Sequence, residues 1–386
     1  MINLDEKVMR LWQDSAKWDE EVCKNNLVPL SIADMDFKCA KPIQKALHQM
    51  IDNEIYGYTY RSDTYYESII RWLKVRHNIE IKKENIIPSF GVVPSIHAAI
   101  KAFSSEGDYV LINTPCYDPF FSSIESHNRK IIESPLRFNQ KSNQYEINFD
   151  EVEECLKKAK IYLLCSPHNP TGRVWNDEEL DHLSLLCKKY NVTVIADEIH
   201  NDLILSDKKH ISFLNFSRKY GLKAIVLGSP SKTFNLAGLN ISYCITENEE
   251  AKQDLEKQIF KTGFYHNNMA GLAALKAAYT ECDPWLDEVL EYLKKNRDFV
   301  YEKLIKHKDN IQVIKPEGTY LMLIKFYDYS SGQIVDIFKR DLKLVVNSGD
   351  SYKCESGYIR LNFACSREQL ILAVSKIEEF ILKTKS

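Results

Sequence analysis

The 386-residue chain contains no Cys-x-x-Cys pair, and its ten cysteines are scattered rather than clustered. That distribution argues against a disulfide framework or a structural zinc site, and a reducing compartment is the natural expectation. No apolar run is long enough to span a bilayer. The opening MINLDEKVMRLWQDSAKWDE is charged throughout and lacks the apolar core of a secretory signal, so a cytoplasmic location is expected. The net charge is only −3, with acidic residues interspersed among the lysines, which provides no field to attract nucleic acid or an anionic membrane. Internal repeats, low-complexity tracts and long Gly/Ser/Pro linkers are missing too. What remains is the composition of a soluble globular protein, at a length that suits one large and one modest domain.

What is present is a recurring form: a short apolar run that stops at a small or polar cluster. DYVLINTPCYDP, KIYLLCSPHNPTG, VTVIADEIHND and KAIVLGSPSKTF all have it. The runs are rich in Val, Ile and Leu and alternate only weakly, as strands buried on both faces do. Helical stretches such as DEELDHLSLLCKKY lie between several of them. An α/β fold with a mostly parallel sheet is expected, and in such sheets ligands bind beyond the carboxyl ends of the strands. From about Asp283 the pattern changes to a long amphipathic helix, the strand-like pieces GTYLMLIKF and GYIRLNFA, and a closing helix from about Arg367. These features divide the chain into an N-terminal arm (1–42) packing on the small domain, a large domain (43–282) and a small C-terminal α/β domain (283–386).

The segment SPSKTFNLAG, residues 229–238, puts Lys232 just after a buried strand. Desolvation there lowers the pKa of the amine, which is what a lysine needs to form a Schiff base with an aldehyde. Ser229 and Ser231 add hydroxyl donors suited to a phosphate, and together the three suggest a pyridoxal phosphate site. In SFGVVPSIHAAIKAF, Gly91 precedes a helix with Pro94 near its first turn, so the N–H groups of Gly91, Val92 and Val93 are free to meet an anion.

Asp197, at the end of an apolar strand, needs a cationic partner, and a protonated pyridine nitrogen would serve. A metal held by Asp197, Glu198, His200 and Asp202 is the rival reading. Against it, Asp197 and Glu198 are adjacent on extended chain and point to opposite faces. Asn169 is placed to donate to a phenolate oxygen, although Asn-Pro-Thr-Gly is also turn chemistry. Tyr117 offers an aromatic face for a planar ring. Arg360, inside an apolar strand, calls for a bidentate carboxylate, either a substrate's or an internal one.

Taken in order, SIADMDF, IYGYTY, FGVVPS, TPCYDPF, SPHNPTG, ADEIHNDL, SPSKTFNLAGLN and YIRLNFA resemble the class I/II aminotransferase-like (fold type I) pyridoxal phosphate enzymes over nearly the whole length. Within them the chain looks most like the MalY- and PatB-related cystathionine β-lyase or C–S lyase subgroup. The resemblance implies the aspartate-aminotransferase-like fold and a homodimer with sites at the subunit interface. It makes Lys232 the Schiff-base lysine and sets Asp197 on the pyridine nitrogen, Asn169 on the phenolate oxygen and Tyr117 over the ring. Val92, Val93, Ser229 and Ser231 surround the phosphate, with Tyr58 reaching it from the neighbouring subunit. Arg360 holds the substrate carboxylate, and SIADMDF becomes a closing arm that brings Ala33 and Asp34 near the substrate.

Two departures from many aminotransferases point to the lyase subgroup: Asn240 where they carry a phosphate-binding arginine, and His200 where they carry a tyrosine. The reaction so implied is α,β-elimination from cystathionine or a related cysteine S-conjugate, giving pyruvate, ammonia and a thiol. Lys232 would act as base, and the leaving sulfur would be protonated by Tyr58, Tyr117 or returning Lys232. An aminotransferase on the same scaffold is the main alternative. Regulation through a partner protein is a reading from a different class.

Overall fold

The computed structural model describes residues 3–6, 8, 10 and 14–383. Its centre is a seven-stranded sheet in the spatial order Ile86–Ser89, Ser242–Ile245, Ala224–Gly228, Thr193–Asp197, Ala159–Cys165, Tyr109–Thr114 and Lys130–Pro135. Ser242–Ile245 is antiparallel to both its neighbours, and the remaining pairings are parallel.

The period-2 geometry of a strand puts successive side chains on opposite faces, and here both faces are covered. Ile161, Leu163, Cys165 and Ile195 pack into one apolar cluster, beneath the helices Val92–Phe103 and Glu249–Phe260. Tyr162, Leu164, Val194 and Ala196 pack into the other, larger one. This double burial explains why the runs read as near-continuous hydrophobics rather than as clean alternation. Asp177–Lys189 forms the expected helix, opened by a capping box in which Asn176 and Glu179 satisfy each other's backbone N–H groups.

The C-terminal part is built on a four-stranded antiparallel sheet, ordered Ile311–Val313, Leu321–Phe326, Tyr358–Asn362 and Asn347–Ser348. The helices Asp283–Leu304 and Arg367–Lys383 pack together. The segment before residue 41 lies against this part. Val28 pairs with Leu344, the Leu30 N–H donates to the Val345 carbonyl at 2.7 Å, and the Asp36 N–H donates to the Ala364 carbonyl at 2.9 Å. Residues 1, 2, 7, 9 and 11–13 of the expected arm lie outside the described residues. Among the described residues no helix is long and apolar enough to cross a membrane.

Candidate active site

The carboxyl ends of the parallel strands open into a cleft of about 420 Å³. Gly91, Tyr117, Asn169, Asp197 and Lys232 all line it, each at or a few residues beyond the end of a different strand. Ala33, Val92, Val93, His200, Ser229, Ser231 and Arg360 line it as well. Two of the residues assigned to the cofactor or substrate do not. Asp34 turns away to accept from Arg10 at 2.7 Å and to face buried Lys17 at 3.6 Å. Tyr58 is 95% exposed, and its ring lies 5.4 Å from that of His266.

Lys232 stands four positions beyond Gly228, and its Nζ donates to the Ala33 carbonyl at 2.6 Å. Burial lowers its pKa to about 8, and the positive charge of Arg360 works in the same direction. Asp197 shares its sheet face with Ile195, which directs the carboxylate toward the helix Val92–Phe103 side. It accepts the Ile199 N–H at 3.1 Å and forms no ion pair among the described residues. Burial raises its pKa to about 6.

Glu198, one residue on, faces the other way. Its carboxylate accepts from Ser212 Oγ at 3.1 Å and the Phe213 N–H at 2.7 Å, and meets His210 Nε2 at 2.9 Å. Asp202 is likewise engaged, accepting from Thr233 Oγ1 at 2.7 Å and meeting His77 Nε2 at 2.7 Å. The four residues of the rival metal reading therefore do not converge. His200 is buried with Nδ1 unpartnered, and desolvation holds its pKa well below the usual value, so the ring is neutral.

Arg360 comes from the small sheet, where its strand position pairs with Leu323 and Asn347. One terminal nitrogen donates to Asn169 Oδ1 at 3.0 Å, and the other to Asn347 Oδ1 at 3.0 Å. Its guanidinium carbon lies 4.5 Å from the Tyr352 ring centroid, and Nε has no partner. No carboxylate pairs with it among the described residues, so the internal salt bridge that the sequence left open is not formed.

At the opposite end, Ser229 Oγ donates to the Ile241 carbonyl at 2.7 Å and accepts the Ser231 N–H at 3.1 Å. The start of helix Val92–Phe103 faces the cleft with its first N–H groups unpaired, an arrangement that favours an anion. A Cβ on Gly91 would lie 3.0 Å from Pro94 Cδ, so that approach is close. Tyr117 lines the cleft with its hydroxyl pKa pushed up to about 12 by burial.

Sequence reasoning missed Ile32, Asp118, Asn347, Ser351 and Tyr352, all of which line the cleft. Asp118 adjoins Tyr117 at a strand end, so the polar-cluster signal covered it. The other four lie in segments with no such signal.

Fold and cleft together define a class: a doubly covered, mostly parallel sheet with an amine, a carboxylate and a guanidinium brought to its carboxyl edge. Residues 25–377 match the family described as aminotransferase class I and II, and the chain belongs to that family. Among named relatives it is similar to cystathionine β-lyase PatB of Bacillus subtilis, at 33% identity covering 95% of this chain and 96% of that protein. Among solved structures it resembles cystalysin from Treponema denticola, which contains pyridoxal 5'-phosphate (TM-score 0.95, 31% identity, full coverage of both chains). It also resembles a PLP-bound protein from Clostridium difficile 630 that carries an aminotransferase name (TM-score 0.95, 38% identity, 99% of this chain and 100% of that one).

Proposed function

We propose that the protein is a pyridoxal-5'-phosphate-dependent C–S β-lyase that cleaves cystathionine or related cysteine S-conjugates to pyruvate, ammonia and a thiol. One observation carries this reading. A single cleft buries an amine with a pKa near 8, a carboxylate without a cation and a guanidinium without an anion. Each is costly to bury alone, and each is relieved by one part of a cofactor–substrate pair.

The donor set fits the cofactor. The unpaired N–H groups of Val92 and Val93 and the hydroxyls of Ser229 and Ser231 suit its phosphate. Asp197 suits a protonated ring nitrogen, Asn169 the phenolate oxygen and Tyr117 the ring face. When bound, the cofactor supplies a reactive aldehyde and an electron sink.

The chain supplies the rest. Arg360 grips the substrate α-carboxylate, for which its two terminal nitrogens and free Nε are oriented by Asn169, Asn347 and the Tyr352 ring. Lys232 takes the Cα proton, a role that a pKa near 8 suits at neutral pH. Tyr117 keeps its own proton up to about pH 12 and is available, with Lys232 and Tyr58, to protonate the departing sulfur. Across the whole reaction the Cα–H and Cβ–S bonds break, an S–H bond forms, and water releases the three-carbon remainder as pyruvate and ammonium.

The reading extends to a cytoplasmic homodimer with shared sites. Ile55, Tyr56, Tyr58 and Tyr60 form an exposed, largely apolar stretch. A second copy would cover it and carry Tyr58 to the neighbouring phosphate. We also divide the chain at residues 42 and 282, with Arg360 reaching the cleft from the small domain.

Incubating the purified holoenzyme with cystathionine tests the function. Pyruvate, ammonia and thiol released without any keto acid are expected. Strict dependence on a 2-keto acid acceptor would instead establish the aminotransferase alternative, which the name of the Clostridium difficile neighbour favours.

A further inference from the structure

Four formally charged side chains line the cleft: Asp118, Asp197, Lys232 and Arg360. The lyase reading, on which this inference rests, employs three of them and leaves Asp118 over. The Asp118 backbone is held firmly. It opens the helix Pro119–Glu125, and its carbonyl accepts the Phe121 N–H at 3.1 Å. Two residues earlier, the Cys116 N–H donates to the Tyr352 carbonyl at 3.0 Å, tying this loop to the turn Gly349–Tyr352. The carboxylate itself caps no helix and forms no ion pair among the described residues. It is exposed at the open side of the cleft, where its charge is felt at the hydroxyls of both Tyr117 and Tyr352 and, without an ion pair, at the Arg360 guanidinium.

A lone carboxylate fixed at the open side of a substrate cleft attracts a positive terminus and repels a negative one. With Arg360 occupied by the α-carboxylate, the part of the substrate beyond sulfur extends toward that open side. The geometry points to Asp118 as a specificity-determining residue that selects cysteine S-conjugates whose sulfur substituent ends in an ammonium group over those ending in a carboxylate. Cystathionine carries both an ammonium and a carboxylate on its distal carbon, and the ammonium is the one that Asp118 takes. The same charge disfavours dicarboxylic amino acids.

The test compares kcat/KM for pyruvate release from S-(2-aminoethyl)-L-cysteine and S-carboxymethyl-L-cysteine in the wild-type holoenzyme, Asp118→Asn and Asp118→Lys. The two thiols differ as leaving groups, so the readout is the change in the ratio between proteins. The ammonium-over-carboxylate ratio should fall about tenfold in Asp118→Asn and further in Asp118→Lys, the modest size expected of a solvent-facing charge. Raising salt to about 0.5 M should compress the wild-type preference and leave that of Asp118→Asn unmoved. A ratio equal in all three proteins overturns the inference and leaves the lyase reading standing. Absence of pyruvate from both substrates and from cystathionine overturns the lyase reading, and the inference with it.

Discussion

The loop that carries Lys232 and the stretch that carries Tyr58 differ in almost every physical respect. Around Lys232 the chain from Ser229 to Leu236 is buried or half-buried and tied across long sequence distances. Asn235 Nδ2 donates to the Met35 carbonyl at 2.8 Å, Asn235 Oδ1 accepts the Met35 N–H at 2.9 Å, and Thr233 bonds Asp202. Around Tyr58, by contrast, Ile55 is 76% and Tyr60 83% exposed, and the nearest anchors are Thr59 and Arg61, both bonded to Asn267. The first region positions reactive groups within one chain. The second presents a surface whose burial, in the reading above, waits for another copy. On the proposed reading, the site is fixed within one chain where bonds are made and broken and depends on association for its outer contacts.

The sharpest way to break this contrast is at its buried pole. Lys232→Ala should lower pyruvate release about 10³-fold or more, and borohydride reduction of the holoenzyme should no longer label position 232. Full turnover in that variant would end the proposed mechanism. Arg360→Ala should cost about 10² in kcat/KM, mainly through KM. Arg360→Lys should recover only part of that, because an ammonium cannot make the forked contact; steady-state kinetics distinguish these outcomes.

Asp197 offers a stability readout in the cofactor-free protein. Its folded pKa of about 6 lies above the ordinary 3.8, so the folded state binds the extra proton between those values. The contribution of Asp197 to stability is therefore greatest below about pH 4 and is lost as pH rises through about 6. Asp197→Asn should be more stable than wild type at pH 7 by on the order of 3 kcal/mol, with the gap closing on acidification toward pH 4. Urea melts at several pH values measure it; a gap independent of pH would contradict the burial argument.

The smallest expected effect lies at the exposed pole. Tyr58→Phe should weaken activity by about tenfold through loss of one hydrogen bond. Co-refolded Tyr58→Ala and Lys232→Ala chains should show more activity than the two variants summed, because each mixed pair would contain one intact site. No gain on mixing would place Tyr58 outside the neighbour's site.

Much of the fold and of the cleft is legible in the residues themselves. Lys232, Asp197 and Asn169 stand out because an apolar run ends abruptly at a polar cluster, and Arg360 because a charge interrupts a strand. The long helix from Asp283 and the closing one from Arg367 are equally plain in their periodicity. Other features leave no local trace. Lys130–Pro135 is half-exposed at the sheet edge, and Ser242–Ile245 is only four residues long, so neither matches the recurring form. Asn347 and Tyr352 reach the cleft only through long-range contacts, such as the Cys116 N–H to the Tyr352 carbonyl and Arg360 to both Asn347 and Asn169. Tyr58 announces itself by resemblance alone, since within one chain it touches none of the groups with which the resemblance places it.

The clamp between Asn235 and residues 35 and 37 carries a consequence of its own. The same short segment supplies the carbonyl that holds the Lys232 amine, so the lysine turn and the strip over it behave as a single latch. Loosening Asn235, which does not itself line the cleft, would therefore disturb the hydrogen-bond partner of the reactive nitrogen from a distance.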